Sequence, residues 1–181
     1  KIMEIFNSKI LGCKIIHSFV GEDSRGKFNK TFHFNKLQDL GIEFKIKESY
    51  LNTSKKNVIR GMHFQNPPYD HQKLVCCIGG KVLDVFLDFR KNSKTFGKFQ
   101  SIELKESDNL IIYLPKGIAH GFLALEDNSK VLYYTDSEYN KESDTGIRWD
   151  SFGFDWNIES PILSKRDLSF TSFKDFNTLF K

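Results

Sequence analysis

Residues 73–89 read KLVCCIGGKVLDVFLDF, and this stretch gives the strongest indication of the fold. Two runs rich in Val, Leu, Ile and Phe, 73–78 and 81–89, flank the pair Gly79-Gly80. Runs of this length and composition are typical of β-strands, and a Gly-Gly pair between two of them predicts a tight two-residue hairpin.

Similar runs surround this stretch. Residues 58–64 alternate with a period of two, which is typical of a half-buried strand. The other predicted strands are 98–104, 109–114, 118–125 and 130–135, with turn-forming residues between them. Strands that recur about every ten residues predict an all-β sandwich or barrel. An additional strand is expected near the N-terminus, at 10–16.

Helical patterns are scarce. One short helix is predicted at 33–40, before Gly41. The tail after Ser164 is a second candidate, because Leu168, Phe173, Phe176 and Phe180 recur at roughly helical spacing. The 18 Phe residues are spread from Phe6 to Phe180, which suggests one large aromatic core. We therefore expect a single, mainly β domain over residues 1–181 with a few short helices.

Composition excludes several classes of protein. The net charge is only +4, from 27 basic and 23 acidic residues, and the basic residues are scattered, which argues against nucleic-acid binding. No apolar stretch approaches the ~20 residues that a membrane span requires, and residues 1–20 lack a signal-peptide pattern. The odd number of cysteines, Cys13, Cys76 and Cys77, favours a reducing cytoplasm over a disulfide scaffold.

Two histidine-containing motifs carry the candidate chemistry. Residues 60–65 read RGMHFQ and include His63, and residues 115–122 read PKGIAHGF and include His120. The second has the P-x-G-x-x-H form of the second cupin motif, which belongs to a small jelly-roll barrel. The first lacks the His-x-His pair and the Glu that most cupins use for a metal. A three-histidine metal site from His63, His71 and His120 remains an alternative.

A barrel lined with a neutral His, a Lys and a Tyr suits a different reaction that needs no metal. Removing a proton from a carbon next to a ketone requires a base with a pKa near neutrality and a donor at the carbonyl oxygen. His63 is the natural base, Lys73 the oxyanion partner and Tyr133 a candidate acid on the opposite face. Strict alternation would place Arg60 and His63 on opposite faces of their strand. If both serve the same site, a bulge near Gly61 is required; otherwise one of the two assignments is wrong.

The two motifs together, with Lys73-Leu74-Val75 and the segment 163–167, resemble the dTDP-4-dehydrorhamnose 3,5-epimerase family. Its members are metal-free, cofactor-free jelly-roll enzymes of the cupin type that epimerise nucleotide-linked 4-keto-6-deoxy sugars. The resemblance implies that His63 is the general base, Asp167 the carboxylate that orients it, Lys73 the group that stabilises the enolate, and Tyr133 the acid.

The resemblance also implies a set of substrate contacts. Asp84 is expected to position Lys73, and His120 to line the pocket near the sugar. Arg60 and Arg25 are expected to contact the diphosphate, because a planar guanidinium pairs well with phosphate oxygens. The remaining expected contacts are Gln65, Phe28, Glu48, Tyr139 and Arg166.

The family pattern is altered where it holds the nucleotide. Lys30 replaces an acid, Cys76 replaces a common Arg, and Asn157 follows Trp156 where Pro is usual. A GDP- or CDP-linked hexose or heptose is therefore an alternative to a dTDP-linked sugar. A catalytically inert sugar-nucleotide-binding protein and a ketoisomerase on the same barrel are alternative functions. The family also implies a homodimer with an exchanged N-terminal strand, in which residues near Arg25 reach the pocket of the second subunit.

Overall fold

The computed structural model describes residues 3–181. In chain order the strands are β1 (Glu4–Asn7), β2 (Lys14–His17), β3 (Val20–Asp23), β4 (Gly26–Asn29), β5 (Glu48–Ser54), β6 (Ile59–Gln65), β7 (Lys73–Gly79), β8 (Lys81–Asp88), β9 (Phe99–Lys105), β10 (Leu110–Leu114), β11 (Ile118–Ala124), β12 (Ser129–Thr135) and β13 (Asp144–Gly146). The helices are α1 (Phe34–Asp39) and α2 (Lys165–Leu168), with a 3₁₀ turn at Glu106–Asp108.

Two antiparallel sheets face each other. The six-stranded sheet has the order β1-β2-β10-β7-β12-β5, and the five-stranded sheet has the order β13-β6-β11-β8-β9. Strands β3 and β4 form a separate hairpin. The predicted mainly β jelly roll with a few short helices is confirmed. No helix within residues 3–181 has the length and apolar character needed to cross a bilayer.

The prediction of a hairpin at Gly79-Gly80 is wrong. Strand β7 pairs with β10 and β12, whereas β8 pairs with β9 and β11, so the two strands belong to different sheets. The glycines form a corner instead. Gly80 has φ +66°, and a Cβ there would lie 2.9 Å from the Cα of Ser129. Only glycine fits this close passage from one sheet to the other.

The bulge expected near Gly61 is present in β6. His120 of β11 pairs with His63, and Phe122 pairs with Arg60, so β6 advances three residues where β11 advances two. Gly61 has φ +141°, and a Cβ there would lie 2.5 Å from the Cα of Gly121. The extra residue brings the side chains of Arg60 and His63 to the same cavity.

The expectation of one large aromatic core is wrong, because the buried apolar residues form three clusters. One lies between the sheets and includes Val75, Phe86 and Phe122. The second covers the outer face of the five-stranded sheet and contains most of the clustered aromatic rings, and the third lies under α1 on the other sheet. Cys76 and Cys77 belong to different clusters, as expected for neighbours in a strand.

Both ends of the chain differ from expectation. Residues 10–16 are not one strand. A turn at 8–13, in which the Cys13 N–H bonds to the Ile10 carbonyl, separates β1 from β2. In the tail, helix is limited to α2, and the aromatic residues after it lie on turns and extended chain. Phe173, Phe176 and Phe180 pack against Phe64 and Phe89 of the five-stranded sheet, so tertiary contacts replace helical periodicity.

Candidate active site

An opening between the two sheets collects most of the predicted residues. The outer cavity has a volume of about 280 Å³ and includes His63 on β6 and Lys73 on β7 in its wall. A smaller space of about 50 Å³ behind it is lined by Tyr50, Asn52, Arg60, His63, Lys73, His120 and Tyr133. Three of the four residues expected to carry the chemistry therefore line one small space.

The fourth, Asp167, contacts His63 directly. His63 Nε2 lies 2.9 Å from Asp167 Oδ1, and Asp167 Oδ2 accepts the backbone N–H of Gly61 at 3.1 Å. Ser164 caps α2 by accepting the N–H of Asp167 at 3.0 Å. Burial favours a higher pKa for Asp167, but hydrogen bonds from His63, Gly61 and Ser164 outweigh it and lower the pKa. The ionised carboxylate accepts the Nε2 proton of a neutral imidazole, which leaves the Nδ1 lone pair free.

Lys73 places an ammonium group beside this imidazole. The residue is buried, and its Nζ donates to the carbonyl oxygen of His63 at 3.1 Å. Burial lowers the pKa of Lys73 to about 8, and the negative charges of Asp144 and Asp84 limit the shift. A desolvated cation in a cavity wall is well suited to stabilise a developing oxyanion.

Tyr133 lies on the opposite sheet from His63. It is the register partner of Tyr50 on β5, and the two rings stack with centroids 4.7 Å apart. Burial, with smaller contributions from Tyr50 and Asp84, raises the pKa of Tyr133 well above its ordinary value. The phenol is therefore protonated and can donate a hydrogen bond or a proton at neutral pH.

Asp84 does not contact Lys73 in the way that the sequence predicted. The Asp84 side chain instead forms a hydrogen bond with His120, and its Oδ2 atom lies 2.7 Å from His120 Nε2. Asp84 affects Lys73 only through its charge. Burial lowers the pKa of His120 despite the opposing effect of Asp84. The His120 ring meets Tyr133 edge-on at 5.7 Å, so Asp84 fixes a ring that packs against the tyrosine.

Two of the three predicted arginines lie in the cavity wall. Arg60 Nε donates to Ser54 Oγ at 3.0 Å. Arg166 pairs with Asp144 at 2.6 Å, and its guanidinium lies over the ring of Phe170, 5.1 Å from the centroid. Both guanidinium groups are thereby held in the wall of the outer cavity, and Arg60 also borders the smaller space behind it.

Gln65, Glu48 and Tyr139 also line the cavity and tie its rim together. Gln65 Oε1 accepts the N–H of Asn140 at 2.8 Å, and Glu48 Oε2 accepts the N–H of Tyr139 at 2.7 Å. These side chains hold the loop after β12 against β5 and β6. The ring of Tyr139 is 61% exposed and so remains accessible to a ligand.

Arg25 and Phe28 lie outside this cavity. Both belong to the β3–β4 hairpin, where Arg25 pairs with Asp23 at 2.6 Å and Phe28 is 60% exposed. Neither residue lines the opening between the sheets in its own chain.

The three-histidine metal site of the sequence analysis is not assembled. Across residues 3–181, no group of three or more His, Cys, Asp and Glu side chains has an arrangement that could hold a metal ion. His63 and His120 are each bonded to a carboxylate, and His71 Nδ1 lies 3.2 Å from the amide nitrogen of Gln65.

Sequence reasoning missed Tyr50 and Asp144. Tyr50 stacks on Tyr133, and Asp144 pairs with Arg166 and limits the lowering of the pKa of Lys73. Tyr50 follows Glu48 by two residues in β5, so alternation along that strand offered a signal for it. Asp144 lies in the short strand β13, for which no local pattern was present.

Known proteins resemble this chain over nearly its full length. Residues 7–175 match the family model described as dTDP-4-dehydrorhamnose 3,5-epimerase. The Shigella flexneri protein of that name is 34% identical over 176 residues, which cover 96% of this chain and 97% of the relative. A crystal structure of the enzyme of that name from Sulfolobus tokodaii superposes with a TM-score of 0.92 at 33% identity and 99% coverage of both chains.

A third relative has a ligand. The Legionella pneumophila dTDP-6-deoxy-D-glucose-3,5-epimerase in complex with dTDP-4-keto-L-rhamnose superposes with a TM-score of 0.92 at 30% identity, covering 97% of this chain and 95% of that one. The family model, the sequence identity and the shared fold agree over the same residues, so this chain belongs to the dTDP-4-dehydrorhamnose 3,5-epimerase family.

Proposed function

We propose that His63, Lys73, Tyr133 and Asp167 carry out the reaction of this family, the epimerisation of a nucleotide-linked 4-keto-6-deoxy sugar at C3, C5 or both. The observation that carries the proposal is the His63–Asp167 pair at 2.9 Å, which borders a space shared with Lys73 and Tyr133. Such a site supplies a base, an oxyanion partner and an acid.

The first step breaks a C–H bond next to the C4 ketone. Nδ1 of His63 takes the proton, and the electron pair of the bond moves through the new C=C bond to the ketone oxygen. The imidazolium that forms is stabilised by Asp167, and the enolate oxygen by the ammonium group of Lys73. A preorganised donor of this kind typically contributes about 2.7–4 kcal/mol to the transition state.

The second step returns a proton to the opposite face of the same carbon. Tyr133 donates its phenolic proton, the C4 ketone re-forms, and the configuration of the carbon is inverted. Exchange with solvent then removes the proton from His63 and restores that of Tyr133. The raised pKa of Tyr133 keeps the phenol protonated until the strongly basic enolate carbon accepts the proton.

A dTDP-linked sugar is the substrate that the relatives favour. The Legionella enzyme holds dTDP-4-keto-L-rhamnose, and the relatives described above include dTDP in their names. Arg60 and Arg166, in the wall of the outer cavity, suit the diphosphate. His120, Asp84, Gln65, Glu48 and Tyr139 complete the substrate site by packing against the acid or by shaping the rim.

The functional unit is a cytoplasmic homodimer of one-domain chains with exchanged N-terminal strands. Strand β1 forms an edge of the six-stranded sheet and is open to pairing with a second chain. The exposed Arg25 and Phe28 on the neighbouring hairpin then reach the partner's cavity. Three free cysteines suit a reducing compartment. A monomer in light-scattering measurements at working concentration would contradict this arrangement.

The test is incubation with dTDP-4-keto-6-deoxyglucose in deuterium oxide, followed by proton NMR of C3 and C5. We expect deuterium at one or both carbons with the wild-type protein, and at least a 100-fold slower incorporation with His63→Ala. The matched control is His17→Ala, which removes an exposed histidine on β2.

The same assay with GDP- and CDP-linked 4-keto sugars identifies the nucleotide to which the sugar of the substrate is linked. If exchange is faster with either of these than with the dTDP-linked sugar, that nucleotide replaces dTDP in the proposal. Tight binding without any exchange would instead identify an inert binding protein, and exchange that is unchanged in His63→Ala would reject the assigned base.

A further inference from the structure

His71 lines the same cavity as His63 and Lys73 but has no role in the reaction described above. It lies in the connection between β6 and β7, two residues before Lys73. Its Nε2 atom is buried and has no hydrogen-bond partner within residues 3–181. Leaving a buried polar atom unpaired typically destabilises a protein by about 1–3 kcal/mol, so such atoms call for an explanation.

The position of this atom suggests a ligand. In the part of the chain that the structure describes, three buried side-chain atoms lack a partner: Asn66 Oδ1, Asp84 Oδ1 and His71 Nε2. Of these three residues, only His71 belongs to the wall of the 280 Å³ cavity. His71 Nε2 itself has almost no exposed surface, so a molecule bound in the cavity becomes its partner once the ring or the cavity wall shifts slightly.

The hydrogen bonds around Gln65 determine which His71 nitrogen carries the proton. Gln65 Oε1 accepts the N–H of Asn140, and Gln65 Nε2 donates to the carbonyl oxygens of Tyr69 at 2.7 Å and Glu138 at 3.2 Å. The group 3.2 Å from His71 Nδ1 is therefore an NH₂ group, which cannot accept. The two amide hydrogens are shared among three acceptors, but an N–H on Nδ1 would point at a group that cannot accept. The lone pair of the neutral imidazole is therefore on Nδ1 and the proton on Nε2.

The imidazole also stays neutral. Burial, with smaller contributions from the positive charges of Lys73 and Lys116, lowers the pKa of His71 to about 3. A neutral N–H donor suits a hydroxyl or carbonyl oxygen of a sugar. The diphosphate is better matched by the charged groups of Arg60 and Arg166.

We propose that His71 binds the substrate by donating a hydrogen bond from Nε2–H to an oxygen of the sugar ring, an inference that rests on the proposed function. His71 is thus a specificity-determining residue that recognises the sugar and not the nucleotide. The contact exists before and during proton transfer, so its loss weakens binding without slowing the chemical step.

Two substitutions separate this contact from a structural role. His71→Asn keeps an oxygen acceptor near the Nδ1 position for Gln65 but removes the donor at the Nε2 position. His71→Gln does the reverse, because its amide NH₂ group reaches the Nε2 position while the acceptor near Gln65 is lost. We expect His71→Asn to raise KM about three- to tenfold with kcat within twofold of wild type, and His71→Gln to stay within about twofold in both.

The opposite pattern overturns the proposal. If His71→Gln is impaired and His71→Asn is not, the imidazole serves only to hold Gln65. Equal impairment of both variants, or no change in KM with His71→Asn, also contradicts a sugar contact.

A direct measurement keeps this result distinct from failure of the proposed function. If the wild-type protein fails to exchange deuterium into any keto sugar, the proposed function is rejected, and isotope-labelled histidine NMR still tests His71. We expect the Nε2–H signal of His71 to shift with dTDP-glucose, which has a sugar but no ketone, and to stay unchanged with dTDP alone. An unchanged signal with both ligands overturns the contact.

Discussion

The Asp167→Asn substitution tests how the carboxylate controls the proposed base. Asp167 Oδ1 faces His63 Nε2 at 2.9 Å, and Oδ2 accepts the backbone N–H of Gly61 at 3.1 Å. A carboxylate offers two acceptors, whereas an amide offers one acceptor and one donor. Because Gly61 can only donate, the new amide turns its oxygen toward Gly61 and its NH₂ group toward His63. The imidazole proton must then move to Nδ1, the atom that would receive the proton of the sugar.

The expected fall in kcat follows from the loss of the general base. Positioned general-base catalysis is worth roughly 10²–10⁴-fold, and a comparable tautomer reversal at a histidine base lowers kcat by about 10⁴-fold. The variant also lacks the charge that stabilises the imidazolium. We therefore expect kcat to fall by about 10³–10⁴-fold, equivalent to about 4–5.5 kcal/mol of transition-state stabilisation. KM should change little, since Asp167 bonds to His63 and does not line the two spaces assigned to the substrate.

The pH dependence of stability provides a second readout of the same substitution. The pKa of Asp167 is lowered on folding, so its ionisation stabilises the wild-type protein above the unfolded pKa of the carboxyl group. This contribution is lost as the pH falls through the lowered folded pKa, and the variant lacks it throughout. The wild-type Tm should therefore fall more steeply on acidification than that of Asp167→Asn.

The assay is deuterium incorporation by proton NMR, with circular dichroism to check folding. Asp39→Asn, an exposed carboxylate on α1, is the matched control and should behave as wild type. A folded Asp167→Asn protein with kcat within tenfold of wild type would refute the argument. So would histidine NMR in which His63 of the variant retains its proton on Nε2.

Two further substitutions test the other groups. Lys73→Met should lower kcat by about 10²–10³-fold, because the enolate loses its cation. Burial lowers the pKa of Lys73 to about 8, so between that pH and the unfolded pKa the unfolded chain binds more protons and stability rises with pH. Below this range, at neutral pH, the folded protein bears the full cost of the buried charge. The same variant should therefore unfold at higher urea concentration than wild type at neutral pH, and a lower midpoint would show that the ammonium is a net stabiliser. Tyr133→Phe should separate exchange from inversion: His63 still delivers solvent deuterium to the face it deprotonates, while inversion slows at least 100-fold. Equal slowing of both in Tyr133→Phe would assign the tyrosine to binding.

Local patterns predicted the strands but not their partners. Strands β6 to β12 have apolar runs or period-two alternation, and all were predicted to within about two residues at each end. The β3–β4 hairpin was missed because its sequence is polar and exposed. The Gly79-Gly80 corner was misread as a hairpin because two consecutive strands look the same in sequence whether they pair or separate into two sheets. Only packing between the sheets decides which occurs.

In the candidate site, too, the sequence indicated some residues directly, whereas the partners of others depend on how the strands and helices pack. His63 and Lys73 stand in motifs with an identifiable chemistry, so the residues themselves suggested them. Asp167 lies 104 residues from His63 and was assigned only by family resemblance, since no spacing indicates that α2 meets β6. The hydrogen bond of Asp84 to His120 was not predicted, because a buried carboxylate can bond to any nearby donor, and the register of β8 against β11 brings it close to His120.

The two-sheet architecture itself accounts for the inversion that the proposal requires. His63 lies on β6 of the five-stranded sheet, whereas Lys73 and Tyr133 lie on the neighbouring strands β7 and β12 of the six-stranded sheet. Facing sheets are about 10 Å apart, which leaves room for a sugar ring between two side chains. With His63 as base and Tyr133 as acid, protons leave one face of the ring and arrive on the other because the two groups belong to opposing sheets. A substitution that alters the spacing of the sheets should therefore slow exchange and inversion together, whereas loss of the phenol alone separates them.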